Sequence, residues 1–360
     1  MLCHPLFCLP AGSVLTKRGK MQLGHLETAM QRSLELALLG PAFGVNPQVG
    51  AVILDASGTI VAEGYHRGSG TAHAEVAAIE DLKTKTSYPF APGYTAVVTL
   101  EPCNHFGKTG PCAQALIDAG ITRVAFPLRD PGETSGGGAQ RLREAGVEVI
   151  EGVLREKAKD QLRVWLHAKQ TNRPFVTLKW ASSLDGRIAA SDGSSKWITG
   201  VESREDAHKL RSEVDSILVG TGTVIADDPE LTARTKDGGY FQHQPTRVVM
   251  GEREISSEKR VFNSVAPSLH IKTRDPKVVL EQLATLGHKH LLVEGGASAV
   301  GAFIRENLVD EFTIYLSPML IGGPKLAIGD LGINSIDQAL NLRIVEQKTL
   351  GKDLFIRARR

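Results

Sequence analysis

Four residues carry the first legible chemistry in this 360-residue chain: His73, Glu75, Cys103 and Cys112. An imidazole and two thiols are the nitrogen and sulfur donors that Zn2+ prefers. A structural zinc takes four protein ligands, whereas a catalytic zinc takes three and keeps a position open to water. Here three candidate ligands come with one spare carboxylate, Glu75, placed to shuttle protons for a water activated by the metal. The triplet His73-Ala74-Glu75 is followed by Pro102-Cys103 and then by Pro111-Cys112, with eight residues between the two cysteines.

These side chains need elements that point them at one spot. Residues two apart on a helix face nearly opposite ways, so His73 and Glu75 share a site only at a helix N-terminus, with the site above the helix end. Pro favours the first helical position, so Pro111 marks a second helix start at Cys112. Two helix N-termini then converge on the metal, and their partial positive charge lowers thiol pKa. The plain alternative is a buried histidine and two core cysteines, each common alone. A structural zinc would need His105 or His66 as fourth ligand and would leave Glu75 without a task.

The flanking pattern supplies those elements. Leu26, Met30, Leu34, Ala37 and Leu38 repeat at helix spacing from His25, and Gly40-Pro41 ends that helix. An apolar run at Val49–Leu54 predicts a buried strand, and Ser57-Gly58 turns it into a partner at Ile60–Tyr65. Helices are expected at 73–82, 112–119 and 139–145, and strands at 94–100, 123–127 and 147–150. A hairpin followed by helix–strand alternation implies a mixed sheet between helices. The expected layout is a poorly ordered extension over 1–24, a first α/β domain over 25–150 that carries the candidate zinc site, an amphipathic connecting helix over 151–173 and a second α/β domain over 174–360. In the second domain, strands are expected near 175–180, 215–220, 246–250, 268–272, 290–294, 311–317 and 354–358, with helices near 202–212, 276–286 and 298–307.

Composition narrows the class. At 42% hydrophobic and 23% charged residues the chain is that of a soluble globular protein, and its length suits two domains. A net charge of +2 offers no strongly basic face, which argues against nucleic acid as a partner. No apolar run reaches the roughly 18 residues of a membrane span, so no membrane partner is expected. Four cysteines without a secretion signal read as reduced thiols or metal ligands in a cytoplasmic protein. The first twenty residues have their apolar part before their basic part, the reverse of a signal peptide. They suggest an upstream start codon, with Met21 as the true start. Cys3, His4 and Cys8 could form a second metal site, a reading disfavoured at a frayed terminus.

The second half has two glycine signals. Ile217-Leu218-Val219 runs into Gly220-Thr221-Gly222-Thr223, and Leu291-Leu292-Val293-Glu294 runs into Gly295-Gly296, with Gly301 beyond. Glycines at strand ends let backbone N–H groups approach phosphates. Neither run is a full Gly-x-Gly-x-x-Gly, and tight turns alone would explain each one separately.

The His-x-Glu and Pro-Cys elements resemble the zinc base deaminases, whose usual Cys-x-x-Cys is here widened. Asn46-Pro47, Val49-Gly50, His66, Thr71-Ala72-His73-Ala74-Glu75, Thr99-Leu100-Glu101-Pro102-Cys103-Asn104-His105, Pro111-Cys112, Asp130-Pro131 and Gly136-Gly137-Gly138 together resemble the deaminase half of the bifunctional riboflavin-biosynthesis deaminase/reductase family. The reductase half is matched by Val176-Thr177-Leu178-Lys179, Ala181-Ser182-Ser183-Leu184-Asp185-Gly186, Lys196-Trp197-Ile198-Thr199, the Leu218 to Arg234 stretch and Val293-Glu294-Gly295-Gly296. The resemblance implies a cytidine-deaminase-like α/β/α domain followed by a dihydrofolate-reductase-like α/β domain. His73, Cys103 and Cys112 would bind Zn2+ and Glu75 would move the proton. Asn46, His66 and His105 would face the substrate, a diaminopyrimidinone carrying a ribosylamino 5′-phosphate. Water adds at the amine-bearing ring carbon and ammonia leaves.

In the reductase, NADPH would contact Ala181, Trp197, Thr223, Asp227 and the turn Gly296, Ala297, Ser298, Ala299, Val300, Gly301 and Ala302. Ser195, Arg211, Leu231, Arg234 and Glu294 would contact substrate, the two arginines being available for its phosphate. A hydride to the sugar C1′ would turn ribosyl into ribityl. Lys179 and Asp185 are candidates for the proton donor on residue type alone. Leu162-Arg163-Val164-Trp165-Leu166-His167 departs from the family's connector pattern, and Gly132-Glu133-Thr134-Ser135 is more acidic than usual. The expected partner is the small pyrimidine ribosyl phosphate, and the expected assembly a homo-oligomer. The alternatives are a deaminase of another nucleoside or tRNA base with a non-catalytic C-terminal half, and a zinc-stabilised scaffold without activity.

Overall fold

The computed structural model describes residues 17–106 and 110–360. The expectations for Cys3, His4 and Cys8 lie outside the described residues. The chain forms two compact units, residues 1–40 with 48–162 and residues 41–47 with 163–360.

In the first unit the elements run α1 (Lys17–Ala37), β1 (Gly50–Leu54), β2 (Ile60–Tyr65), α2 (Ala74–Lys85), β3 (Thr95–Val98), α3 (Cys112–Asp118), β4 (Arg123–Phe126), α4 (Gly138–Glu144), β5 (Glu148–Glu151) and α5 (Arg155–Gln161). Helix α1 thus starts at Lys17, eight residues before the expected His25. The sheet has the order β2-β1-β3-β4-β5, with β1 antiparallel to both β2 and β3 and the remaining pairs parallel. Alternation along β1 divides two layers. Ala51 and Ile53 share a core with Ala78 and Leu82 of α2, Leu116 of α3 and Leu142 of α4. On the other face, a Cβ at Gly50 would strike the Ser33 carbonyl of α1. The α/β/α sandwich expected from the hairpin-then-alternation pattern is therefore present.

The second unit contains α6 (Arg163–Thr171), β6 (Phe175–Ser183), α7 (Val201–Ser212), β7 (Ser216–Gly220), α8 (Thr221–Asp227), β8 (Thr246–Met250), β9 (Ser268–Ile271), α9 (Pro276–Thr285), β10 (His290–Val293), α10 (Ala297–Arg305), β11 (Glu311–Ser317), β12 (Arg343–Leu350) and β13 (Asp353–Arg359). Its eight strands are ordered β12-β13-β11-β6-β10-β7-β8-β9. Strands β11 to β9 in that order are parallel, and the β12–β13 hairpin closes one edge antiparallel. Val279, Leu283, Val300 and Phe303 of α9 and α10 pack against one face, on Leu218, Val248 and Leu291. Val224 of α8 packs with Ile217, Val219, Val249 and Leu292 on the other.

The connector is two helices, not one. Leu162 between them has a φ/ψ of −87°/3°, outside the helical region, and the second helix is fastened to the second unit by ions. Arg163 forks onto the buried Glu311 at 2.9 and 3.0 Å, and Arg173 forks onto Asp310 at 2.7 and 2.8 Å. Helix α8 and strand β12 were not expected. The turn glycines Gly220 and Gly222 obscured the helix that follows β7. Strand β12 is exposed and charged, so it lacks an apolar run to mark it.

Candidate active sites

His73 is the N-cap of α2, in extended conformation at φ −68° and ψ 161°, and its imidazole makes no capping bond. The ring is therefore free to face out over the helix end. Cys112 opens α3, with Pro111 one residue earlier as its N-cap rather than inside it. The ligand atoms of His73, Cys103 and Cys112 lie within 4.8 Å of one another. His73 Nδ1 stands 3.2 Å from Cys112 Sγ and 3.6 Å from Cys103 Sγ. A tetrahedral zinc with Zn–N of about 2.0 Å and Zn–S of about 2.3 Å holds N and S roughly 3.5 Å apart, so the donor triangle fits that ion.

The electrostatics say the same. Hydrogen bonding from Cys112, and then from His73, pulls the Cys103 thiol down to about 4. Sharing that hydrogen bond with Cys103, together with burial, drives the Cys112 thiol far upward. Two sulfurs sharing one proton become two thiolate ligands once a cation replaces the proton. Glu75 is buried beside them, 5% exposed. Burial first, and the Cys103 charge second, push it up to about 7. A carboxyl in that range can both take and return a proton near neutrality.

The Cys103 segment is held from behind. The buried Glu101 carboxylate accepts the N–H groups of Asp130 and Ala139, both at 2.9 Å. Asn104 N–H donates to the Ser135 carbonyl at 3.0 Å. A Cβ at Gly138 would collide with the Pro102 carbonyl, so only glycine lets the α4 start close on the ligand loop. This gives the triple glycine a task, and Glu101 is a positioning residue that residue types alone had not singled out. His66 packs edge-on to His73 at 5.3 Å and bonds the Ala72 carbonyl through Nδ1 at 3.1 Å. His105 Nδ1 is buried without a hydrogen-bond partner among the described residues. Asn46 lies in the 41–47 segment, which belongs to the second compact unit.

In the second unit the two glycine turns meet at the C-terminal ends of neighbouring strands β7 and β10. A Cβ on Gly295 would come within 3.8 Å of the Gly220 nitrogen, and Gly296 N–H donates to Thr223 Oγ1 at 3.2 Å. Gly296 caps α10, whose first turns hold Ala297 to Ala302, and Asp227 ends α8. The crevice outside the carboxyl ends of such strands is where open α/β sheets bind nucleotides. Ala181 lies on β6. Ser195 and Trp197 lie in the exposed segment before α7, where Trp197 is 69% exposed and faces the Arg204 guanidinium at 4.4 Å.

Next to the glycine turns is a buried ion cluster. Arg211 forks onto Glu294 at 2.8 and 2.9 Å, and Lys179 Nζ reaches the same carboxylate at 3.2 Å. Arg211 also donates to the Thr232 carbonyl at 3.2 Å. Arg211 is thus engaged by Glu294 and by the Thr232 carbonyl. Arg234 Nε, by contrast, is buried with no hydrogen-bond partner among the described residues. Leu231 is buried at a positive φ of 57°, which turns the chain into this cluster. His208, three residues before Arg211 on α7, joins it through Nδ1, which stands 3.1 Å from the Thr232 carbonyl oxygen and 3.3 Å from the Arg234 backbone nitrogen. Its helical spacing from Arg211 was the available signal. Burial, then the charges of Arg211 and Arg234, push His208 down to about 4. Asp185 is a brace: Ser183 Oγ and the N–H groups of Ile321 and Gly322 hold its carboxyl down to about 2.

Known proteins share this arrangement. Residues 24–128 match the cytidine and deoxycytidylate deaminase zinc-binding region, and residues 174–356 match the RibD C-terminal domain. The chain is 45% identical over 311 residues to riboflavin biosynthesis protein RibD of Mycobacterium tuberculosis, covering 86% of this chain and 90% of that one. It is 40% identical over 335 residues to RibD of Aquifex aeolicus, covering 86% and 91%. Among solved structures, the diaminohydroxyphosphoribosylaminopyrimidine deaminase/5-amino-6-(5-phosphoribosylamino)uracil reductase of Thermotoga maritima superposes with a TM-score of 0.85 at 34% identity, covering 94% of this chain and 99% of that one. RibD of Acinetobacter baumannii superposes with a TM-score of 0.84 at 33% identity, with the same coverage. Matches to both halves disfavour a deaminase with a non-catalytic second half. With a zinc-fitting donor set in one unit, two glycine turns meeting at strand ends in the other and these relatives along nearly its whole length, the chain belongs to the RibD family, bifunctional enzymes of riboflavin biosynthesis that use zinc in a deaminase domain and NADPH in a dihydrofolate-reductase-like domain.

Proposed function

We propose that the first unit hydrolytically deaminates 2,5-diamino-6-(ribosylamino)-4(3H)-pyrimidinone 5′-phosphate, and that the second reduces the ribosyl side chain of the product to ribityl. The observation that carries this reading is the His73, Cys103 and Cys112 triangle with a buried, unligated carboxylate at Glu75. His73, Cys103 and Cys112 would hold the zinc, which would supply Lewis-acid activation of water. Glu75 would take a proton from the attacking water as its oxygen bonds to the amine-bearing ring carbon, deliver it to the ring, and then carry the remaining hydroxyl proton to the amine; the C–N bond breaks, ammonia leaves and a carbonyl remains. His66 and His105 orient the pyrimidine.

In the reductase, Ala181, Trp197, Thr223, Asp227 and the turn from Gly296 to Ala302 would hold NADPH, which would supply the hydride for C1′. Ser195, Arg211, Leu231, Arg234 and Glu294 hold the substrate. Arg234 is the arginine with a guanidinium nitrogen to offer the phosphate, while Arg211 keeps Glu294 ionised and in place. Lys179, beside Glu294, is the candidate to protonate the sugar oxygen as the ring opens. The enzyme acts as a homo-oligomer in the cytoplasm, which light scattering and cell fractionation test. Among the described residues, no helix is long and apolar enough to cross a membrane.

Glu75→Gln tests the site. The variant should keep one zinc per chain and lose roughly 10²- to 10⁴-fold in ammonia release, the usual contribution of a general acid–base. NADPH oxidation on the deaminated pyrimidine should be unaffected. Loss of zinc in that variant would make Glu75 a ligand and overturn its assigned role. Stripping zinc with a chelator should abolish ammonia release and spare the reduction.

A further inference from the structure

The cofactor crevice has one basic side chain that neither the glycine turns nor the substrate cluster accounts for. Strand β8 lies next to β7, and the chain leaves it through Gly251-Glu252-Arg253-Glu254. Basic residues are grouped here, but most are neutralised. Glu252 pairs with Arg274 at 3.0 Å and Glu254 pairs with Lys272 at 2.5 Å. Arg253 has no carboxylate partner among the described residues. Its guanidinium instead lies back over the β7 turn. Nε is 3.4 Å from Thr221 Oγ1, and a terminal nitrogen is 2.9 Å from where a Cβ on Gly222 would stand. The second glycine of Gly220-Thr221-Gly222 is therefore the space that this guanidinium occupies.

This places an unneutralised cation one strand outward from the turns that face the cofactor's phosphates, on the side where the adenosine ribose extends if the nicotinamide points at the Lys179–Glu294 cluster. NADPH differs from NADH only by a 2′-phosphate on that ribose. Dinucleotide sites that accept this group do so with a nearby arginine, while sites for NADH put a carboxylate there. A guanidinium offers a phosphate a planar, bidentate donor pair, which an ammonium cannot. We propose that Arg253 recognises the 2′-phosphate of NADPH and sets the preference of this reductase for NADPH over NADH, with Gly222 providing the room that orients it. The inference rests on the reading that NADPH lies across the β7 and β10 turns.

Calorimetric titration of the zinc-loaded, full-length protein with NADPH and with NADH tests both levels. Arg253→Ala should weaken NADPH binding roughly ten- to hundredfold, the loss expected for a hydrogen bond between charged groups, and leave NADH binding within about twofold. Arg253→Lys should recover part of the difference, because the charge returns without the fork. If Arg253→Ala weakens both cofactors equally, or neither, the assignment of the 2′-phosphate to Arg253 fails. If the wild-type protein binds neither cofactor, the nucleotide crevice itself is misassigned and the inference falls with it.

Discussion

Arg211→Ala separates the stability of the ion cluster from its chemistry. The side chains of Arg211 and Glu294 are 16% and 8% exposed, so both charges are largely out of water. Removing Arg211 leaves Glu294 buried with Lys179 alone, at 3.2 Å. Breaking a buried pair by deleting one partner costs about 3–5 kcal/mol, because the remaining charge is uncompensated. Lys179 keeps the loss near the lower end. For a domain of roughly 200 residues, 1 kcal/mol shifts the melting temperature by roughly 2–4 °C, so the second unit should melt about 6–12 °C lower. Reduction, followed as NADPH consumption, should collapse at temperatures where the variant is still folded, and ammonia release should persist. The triple variant Lys179→Met, Arg211→Met and Glu294→Leu should regain the stability, since apolar residues often replace a buried ion cluster without loss, and it leaves no unpaired charge behind. It should not regain the reduction, because the substrate contact at Glu294 is gone. An unchanged melting temperature in Arg211→Ala would refute the buried-pair reasoning. Loss of deamination with intact reduction would show that the cluster serves the other reaction.

Gly138→Ala should lower the stability of the first unit by about 1–3 kcal/mol, the usual cost of overpacking, and reduce zinc retention, because the added Cβ meets the Pro102 carbonyl next to Cys103. Equal zinc content and stability in the variant would mean that α4 can retreat freely. Stability of the second unit should fall as pH drops from 6.5 toward 4. Burial holds His208 and the fully enclosed His290 below their ordinary value of 6.5, so they stay neutral when folded while the unfolded chain takes up protons. The unfolded state then binds more protons, stability rises with pH, and each histidine adds a slope of at most about 1.4 kcal/mol per pH unit across that window. Thermal unfolding between pH 4 and 7 checks this; a flat profile there would contradict it.

The two halves differ in how much was legible beforehand. The zinc triangle was readable because a catalytic zinc demands particular atoms, and the sequence holds few histidines and cysteines to supply them. The strands of both sheets except β12 were readable because parallel, doubly covered strands such as β7 and β10 are short apolar runs between turns. What residue order could not show is pairing across distance. Glu294 and Arg211 are far apart in the chain, and nothing in either residue says that the guanidinium and the carboxylate meet. Asp185 looked like an acid and is a brace, because the N–H groups that claim it come from residues 321 and 322. The split of the connector likewise depends on Glu311 and Asp310, residues of another element that capture Arg163 and Arg173.

By itself, then, the sequence determined which chemistry is possible, since ligand type, helix starts and apolar periodicity are local properties of the chain. The tertiary structure decided which polar groups remain available for it. Burial and hydrogen bonding depend on what the fold brings alongside, and those neighbours bury Glu75 beside the ligand triangle, engage Arg211 and set Arg253 against the glycine that makes room for it.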